Sequence, residues 1–297
     1  MKRSVMAGCA LMWLAAATVA AQNPPKVFVP VDMEGIWGVV ASEQVSSASP
    51  EYAAARRWMA EDVNAVIAGL LEGGAGEIVV NDSHGSMRNI VADALNPKAS
   101  LISGSPKPLS MMQGIDSSFD AVVFVGYHAR AGTSASILDH TISSATVRAI
   151  RINGQELPEM GINAAIAAYY KVPVILLTGD AETCRMASAL LGDAVVTAAV
   201  KDGISRTAAR MVPLEEARRR LKDAAREALA KRSRIEPFRL AGPCTFEVDF
   251  HNAGQAELPS LLPHVNRANP RGVSFTSADY LEGFKLLRAI IALAGVS

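Results

Sequence analysis

The chain has 297 residues, of which 50% are hydrophobic and 20% charged. This composition excludes an intrinsically disordered chain and allows one large domain or two small ones. Lysine and arginine number 29 against 29 for aspartate and glutamate, and no long basic run occurs, so nucleic acid is not an expected partner.

Lys2 and Arg3 open the chain as a short basic region. An apolar stretch follows from about Val5 to Val19, and Val19-Ala20-Ala21 supplies small residues for cleavage. This is the pattern of a secretory signal peptide over residues 1–21, so the protein is expected to be exported, periplasmic or secreted. A membrane anchor is the alternative, but the apolar stretch is short for a span. The mature chain is expected to begin near Gln22 with Asn23-Pro24-Pro25 as a linker, and no later stretch is long and apolar enough to span a bilayer. Cys184 and Cys244 remain after removal of the signal, as a bridge or as two buried thiols. Neither lies in a Cys-x-x-Cys or Cys/His zinc pattern.

Val27 to Val31 is an apolar run that ends in Asp32-Met33-Glu34-Gly35. A short apolar run before a turn signal predicts a strand buried on both faces. Glu51 to Glu72 carries apolar residues at three- and four-residue spacing and stops at Gly73-Gly74, which predicts a helix. Glu77 to Val80 is a second strand, ending in Asn81-Asp82-Ser83-His84-Gly85; strand, helix and strand make a right-handed parallel unit. Leu101 to Gly104 is a short strand, and Ala121 to Val125 another, followed by Gly126-Tyr127-His128. Ala131 to Ser136 reads as a polar loop with His140 in or just beyond it. Val147–Ile152 and Gln155–Leu157 flank Asn153-Gly154 as a hairpin. Pro158-Glu159-Met160-Gly161 leads into a helix through Tyr170, and Val174 to Leu177 is a buried strand with Gly179-Asp180 at its tip. Leu214 to Lys231 is a charged amphipathic helix, Phe246 to Phe250 an alternating and hence antiparallel strand, and Thr276-Ser277-Ala278-Asp279 starts a final helix. The fold class is α/β: a three-layer α/β/α arrangement with a mostly parallel sheet, plus an added hairpin and a late antiparallel strand. Residues 233–243 are the best place for a junction within the mature chain.

Three strand ends deliver ionisable groups: Asp32 and Glu34, then His84 with Asp82 beside it, then His128. The carboxyl ends of parallel strands share one edge of an open α/β sheet, so these residues are predicted to converge. Asp32 and Glu34 lie two apart and face the same side of an extended chain. Like charges on a buried strand end repel and resist leaving water, so a cation is expected between them. Carboxylates mixed with imidazoles suit zinc, manganese or cobalt better than calcium. Few ligands serving two ions need a shared carboxylate, and a metal pair about 3.5–4 Å apart activates water for amide hydrolysis. Asp82 reads mainly as structural, orienting His84 or capping a turn. His251 and His264 show no supporting pattern, and Tyr127 reads as packing.

The segments Val31-Asp32-Met33-Glu34-Gly35, Asn81-Asp82-Ser83-His84, Gly126-Tyr127-His128-Ala129-Arg130-Ala131 and Glu159-Met160-Gly161-Ile162-Asn163-Ala164 resemble, in this order, those of the D-aminopeptidase family of metallopeptidases. So do Ile102-Ser103-Gly104, Ala198-Ala199-Val200-Lys201, Ile204-Ser205-Arg206 and Gly254-Gln255-Ala256-Glu257, and the likeness runs from about Val27 to Leu293. The resemblance implies two zinc ions (Zn2+) per chain sharing Asp32, with Glu34 and His84 on one and His128 and Glu159 on the other. It implies His140 as the catalytic histidine, here preferred as a proton shuttle or oxyanion stabiliser. It further implies removal of N-terminal D-residues, D-alanine above all, from short peptides by a ring-like homo-oligomer, with residues 22–297 as the catalytic domain. The export signal is the departure from the family. A metal-dependent phosphoesterase is a second reading, with Arg130 as the nearby basic group. A non-catalytic exported peptide-binding protein is a third, and five metal-type ligands in an apolar frame argue against it.

Overall fold

A computed structural model describes residues 23–297; the expected signal peptide lies outside the described residues. In chain order the elements are β1 (Lys26–Val31), α1 (Tyr52–Glu72), β2 (Glu77–Asp82), β3 (Ala99–Ile102), β4 (Ala121–Phe124), β5 (Val147–Ile152) and β6 (Gln155–Glu156). They continue with α2 (Glu159–Tyr169), β7 (Val174–Asp180), α3 (Ala181–Leu191), β8 (Val196–Ser205), β9 (Ala208–Met211) and α4 (Leu214–Lys231). The last are β10 (Cys244–Phe250), β11 (Asn266–Asn269), β12 (Gly272–Ser277) and α5 (Tyr280–Ala294).

One sheet has the order β3-β2-β1-β4-β7-β8-β9. All its pairings are parallel except β8 with β9. From β1 the chain first builds outward to β2 and β3, then returns to place β4 on the other side of β1 and builds the opposite way. The β1/β4 boundary is therefore a topological switch point, where a crevice opens at the carboxyl ends of the strands. A second sheet, β11-β12-β10-β5-β6, is antiparallel throughout.

Alternation along the strands sorts side chains between the two faces. Val27, Val29 and Val31 join Met59, Val63 and Ile67 of α1 and Leu221 and Ala225 of α4 in one cluster. Phe28, Val122 and Phe124 join Ile166 of α2, Ala187 of α3, Phe246 of β10 and Leu287 of α5 in another. Each fully buried Val, Leu, Ile, Phe or Met among them contributes about 1.5–3 kcal/mol. Helices thus cover both faces of the parallel sheet, and the antiparallel sheet extends the second layer.

The structure adds to the elements read from sequence. The strand pattern around Val248 and the hairpin of β5 and β6 belong to one five-stranded sheet, which β12 and the exposed β11 complete. Helix α3 follows β7 with no intervening loop, because Asp180 ends the strand and caps the helix: its Oδ1 accepts from the Thr183 amide at 2.7 Å. The last helix starts later than the Thr276 pattern suggests. Thr276 and Ser277 belong to β12, and Asp279 is the cap, accepting from the Glu282 amide at 3.0 Å. Residues 235–243 join α4 to β10 without regular structure. Cys184 and Cys244 are both free and buried. Among the described residues no helix is long and apolar enough to cross a membrane.

Helices α1 and α4 pack backbone to backbone at Gly69, where an added Cβ would lie 2.0 Å from the Lys222 carbonyl oxygen. Gly69→Ala is therefore expected to cost about 1–3 kcal/mol through overpacking despite alanine's better helix propensity. Chemical denaturation would show this as a lower midpoint at unchanged slope; an unchanged or raised midpoint would refute the tight crossing.

Candidate metal centre

Asp32 stands one residue past β1, and its amide donates to the Val125 carbonyl at 2.8 Å. Three residues on, Gly35 donates to the Gly126 carbonyl at 2.8 Å. These loops touch only because both lack side chains at the contact. A Cβ on Gly35 would lie 2.1 Å from the Tyr127 carbonyl oxygen, and one on Gly126 would lie 2.3 Å from the Asp32 carbonyl oxygen. Gly126 also has φ +71°, which favours glycine. The seam fixes Asp32 and Glu34 against His128.

Asp32 faces His84 Nδ1 through Oδ1 at 3.3 Å and His128 Nε2 through Oδ2 at 3.4 Å. Glu34 Oε2 is 3.1 Å from His84 Nδ1, and Glu159 Oε1 is 3.3 Å from His128 Nε2. His140 Nε2 lies 3.7 Å from the same Glu159 oxygen, and its ring stacks on His128 with centroids 3.9 Å apart. Ligand-type atoms of Asp32, Glu34 and His128 fall within 4.8 Å of one another, as do those of His128, His140 and Glu159. The six residues predicted from sequence therefore meet at one place. His140 stands closer to the ligand-type atoms than a remote proton shuttle would, within range of the His128–Glu159 group.

Each imidazole has one nitrogen tied to a backbone carbonyl: His84 Nε2 to Val45 at 3.0 Å, His128 Nδ1 to Ala129 at 2.9 Å, and His140 Nδ1 to Leu138 at 2.9 Å. A carbonyl accepts only, so each tied nitrogen carries the proton. In the neutral ring the other nitrogen then presents its lone pair to the carboxylates, as a metal-ligating histidine does. His128 Nε2 is buried without any hydrogen-bond partner among the described residues.

The acids sit in little water, with Asp32 3%, Glu34 4% and Glu159 6% exposed. Burial, then the Glu34 charge, raises Asp32 to about 7. Burial also opposes ionisation of Glu34 and Glu159, yet His84 and His128 respectively hold them below the usual carboxylate range. Glu159 opens α2, where free helix amides favour a negative charge, and it accepts from the Ile142 amide at 2.5 Å. Burial works against a charged His128, but Glu159 and Asp32 hold its pKa at about 10; His84 is raised in the same way, chiefly by Glu34. His140 shifts the other way, lowered by burial and by the neighbouring His128 charge.

Other residues hold the frame. Lys201, on β8, is fully buried, and its Nζ donates to the carbonyls of Glu34, Ile36 and Val39 at 2.6, 2.8 and 2.6 Å. Burial pulls its pKa down to about 7, yet three acceptors need three N–H groups, which only the ammonium supplies. Trp37 clips the same loop to the helical layer: its amide donates to Asp62, its indole Nε1 to Val212 at 2.7 Å, and its ring meets Trp58 edge-on at 5.8 Å. Asp82 does not touch the His84 ring. It accepts from the amides of Asn89 and Ile90 and from Asn89 Nδ2, and Asn89 in turn donates to the His84 carbonyl. Asp180 anchors the loop before His140 through Ser136 Oγ at 2.8 Å and the Ile137 amide at 2.7 Å.

The centre opens into a cleft of about 440 Å³ that Asn163, Arg206 and Arg288 also line. Arg130 does not line it; its guanidinium pairs with Glu156 at 2.7 Å. His251 and His264 also lie off the cleft, and Tyr127 is fully buried, accepting from Asn163 Nδ2 at 3.1 Å. The strand-end pattern does not reach Glu159, which the resemblance alone supplies; its own signal is Pro158-Glu159 at a helix start. Lys201 has a weaker one, a lone ammonium closing the short apolar run Ala198–Val200.

An α/β sheet whose switch-point crevice gathers buried carboxylates and oriented imidazoles is the build of a metal-dependent hydrolase. The model of the family described as D-aminopeptidase matches residues 26–289. A D-aminopeptidase of Bacillus subtilis (strain 168) is 36% identical over 270 residues, covering 91% of this chain and 97% of its own. A solved structure described as the Zn-dependent D-aminopeptidase DppA from Bacillus subtilis, a self-compartmentalizing protease, superposes with TM-score 0.89 over 92% of this chain and 98% of that one. This chain belongs to the D-aminopeptidase family and is a metallo-aminopeptidase.

Lys201→Met would leave the buried carbonyls of Glu34 and Val39 without a donor, while Ile36 keeps the Val39 amide at 3.3 Å. The expected cost is at least about 2 kcal/mol, from the penalty for unsatisfied buried acceptors. A denaturation midpoint equal to that of the unsubstituted protein would show that Lys201 does not brace the Glu34 loop.

Proposed function

We propose that the cluster binds two zinc ions with Asp32 between them. Glu34 and His84 hold one, His128 and Glu159 the other. The observation that carries this reading is the position of Asp32, whose two oxygens face two different imidazoles. The donor set fits the group: the imidazoles are pinned in the ligating tautomer, His128 Nε2 is an orphan, and the buried carboxylates need a cation. The description of the Bacillus subtilis relative as Zn-dependent supports zinc.

When bound, zinc supplies Lewis acidity that lowers the pKa of a water and polarises a carbonyl. The chain supplies the proton transfer. His140, which lines the cleft, is kept neutral by its lowered pKa, with Nδ1–H held by Leu138 and Nε2 3.7 Å from Glu159 Oε1. Nε2 takes the proton from the attacking water and returns it to the departing amine as the scissile C–N bond breaks. The substrates are short peptides with an N-terminal D-residue, D-alanine foremost, as family membership supports. The self-compartmentalizing relative supports a ring-like homo-oligomer with enclosed sites. Residues 1–21 act as an export signal and residues 22–297 as the catalytic domain, which places the enzyme in the periplasm or outside the cell. Arg130, the basic group on which the phosphoesterase reading leaned, pairs with Glu156 and lies off the cleft, and family membership favours the peptidase.

Purified protein is expected to carry two zinc ions per chain by elemental analysis, with D-alanyl peptidase activity lost to chelator and restored by zinc. Asp32→Ala should lose both ions, whereas His140→Ala should keep both and lose about 10²–10⁴-fold in kcat. Loss of metal from His140→Ala would make His140 a ligand instead. Edman sequencing of exported protein should start near Gln22, and a mature form confined to the cytoplasm would rule out export.

Two pH effects follow. His140 must be neutral, so activity falls as pH drops through its pKa; the shift is downward, so the acid limb of kcat/KM should lie below about 6.5. His84 and His128 hold protons at neutral pH in the metal-free cluster, so zinc must displace them and its affinity should rise with pH. Calorimetry at pH 7 in buffers of different ionisation enthalpy should detect proton release; zinc uptake without it would contradict the pKa order.

A further inference from the structure

Arg288 lies on α5 one turn beyond Phe284, and both line the cleft that holds Glu34, His140 and Glu159. The side chain is half-buried. Among the described residues its guanidinium makes no ion pair and no hydrogen bond, and Glu159 is the one carboxylate whose charge acts on it, from beyond ion-pair range. The other arginine of the cleft differs: Arg206 Nε pairs with Asp139 at 3.1 Å. Half-buried arginines elsewhere are engaged, among them Arg151 with Asp249 at 2.8 Å and Arg218 with Asp62.

A guanidinium stays charged and presents five donors in a planar fork that matches a carboxylate. Leaving it partly desolvated and unpaired is costly, so its position calls for an anion that enters from the cleft. The frame also fixes its distance from the centre. Tyr280, at the start of α5, donates through its hydroxyl to the Ile162 carbonyl of α2 at 3.0 Å, and α2 opens with Glu159. Gly283 packs against the Phe246 ring of β10, where a Cβ would come within 2.4 Å. Arg288 is therefore pre-placed relative to the carboxylate end of the cleft.

The cleft is lined both by the residues of the metal centre and by an unspent guanidinium. A short peptide whose scissile bond sits at that centre carries a free carboxylate at its far end. Successive Cα atoms are about 3.8 Å apart, so the terminal carboxylate of a di- or tripeptide lies within about 4–8 Å of the scissile bond. The geometry points to Arg288 as the residue that receives the C-terminal carboxylate of the substrate and selects di- and tripeptides with a free C-terminus. This rests on the peptidase reading above.

The test compares zinc-loaded enzyme and its Arg288→Met and Arg288→Lys variants on three substrates: D-alanyl-D-alanine, its C-terminal amide, and D-alanine p-nitroanilide. The unsubstituted enzyme should show a KM for the acid about tenfold or more below that for the amide. Arg288→Met should erase this gap by raising KM for the acid alone, with kcat and the rates on amide and anilide unchanged within about twofold. Arg288→Lys keeps the charge but loses the fork, so its KM for the acid should fall between. Circular dichroism melts of both variants check that α5 stays folded. Equal effects of Arg288→Met on acid and amide, or no gap in the unsubstituted enzyme, would overturn the assignment while leaving the peptidase reading intact. Failure of the unsubstituted enzyme on all three substrates, anilide included, would bring down the peptidase reading and Arg288 with it.

Discussion

Asp32, Glu34 and Glu159 are held together where water cannot screen them. In a medium of low polarity, like charges a few ångströms apart repel by several kcal/mol even at an effective dielectric constant near 20. Such an arrangement persists only if cationic charge sits among the acids. In the bare chain, protons on His84 and His128 supply it, which is why the pKa values of those imidazoles rise while Glu34 and Glu159 stay ionised. A divalent cation can take over the same task. The tautomer-fixing carbonyls of Val45 and Ala129 leave the inward nitrogens free for it once their protons go.

Everything around the acids resists their mutual repulsion. Glycine pairs let two strand-end loops approach closer than any side chain would permit. Lys201 draws three carbonyls of the Glu34 loop onto one ammonium, and Asp180 pins the His140 loop from the far side. The chemistry is thus carried by loops, but their geometry is set by strands and by buried polar contacts, so little reorganisation is needed when substrate arrives.

Much of this was legible in the residues. Apolar runs ending in Asp, Glu or His marked the parallel strands and the edge where they converge, because strands of one direction end on one side. The same rule also shows why a strand-end acid is not enough. Asp180 closes β7 as Asp32 closes β1, yet Asp180 spends its oxygens on a helix cap and a neighbouring loop. The difference is tertiary and no local pattern carries it. Glu159 escaped the strand rule because a helix start delivers it, after a hairpin that belongs to the other sheet. The antiparallel sheet was only partly visible: the turn residues marked the hairpin of β5 and β6, whereas β11 is exposed along its length and β12 ends in Thr276-Ser277, a pattern that mimics a helix start. Arg288 sits in an amphipathic helix where a charged residue ordinarily means a solvated face; only its placement across the cleft from Glu159 distinguishes it.

The edge-on pair formed by Trp37 and Trp58 has a practical corollary. They are the two tryptophans among the described residues, and both belong to the wall behind Glu34. Tryptophan emission from residues 23–297 therefore originates beside the chemistry rather than being averaged over the whole fold. The molecule carries its own optical gauge of how the acidic loop responds to ions and inhibitors, with no dye attached.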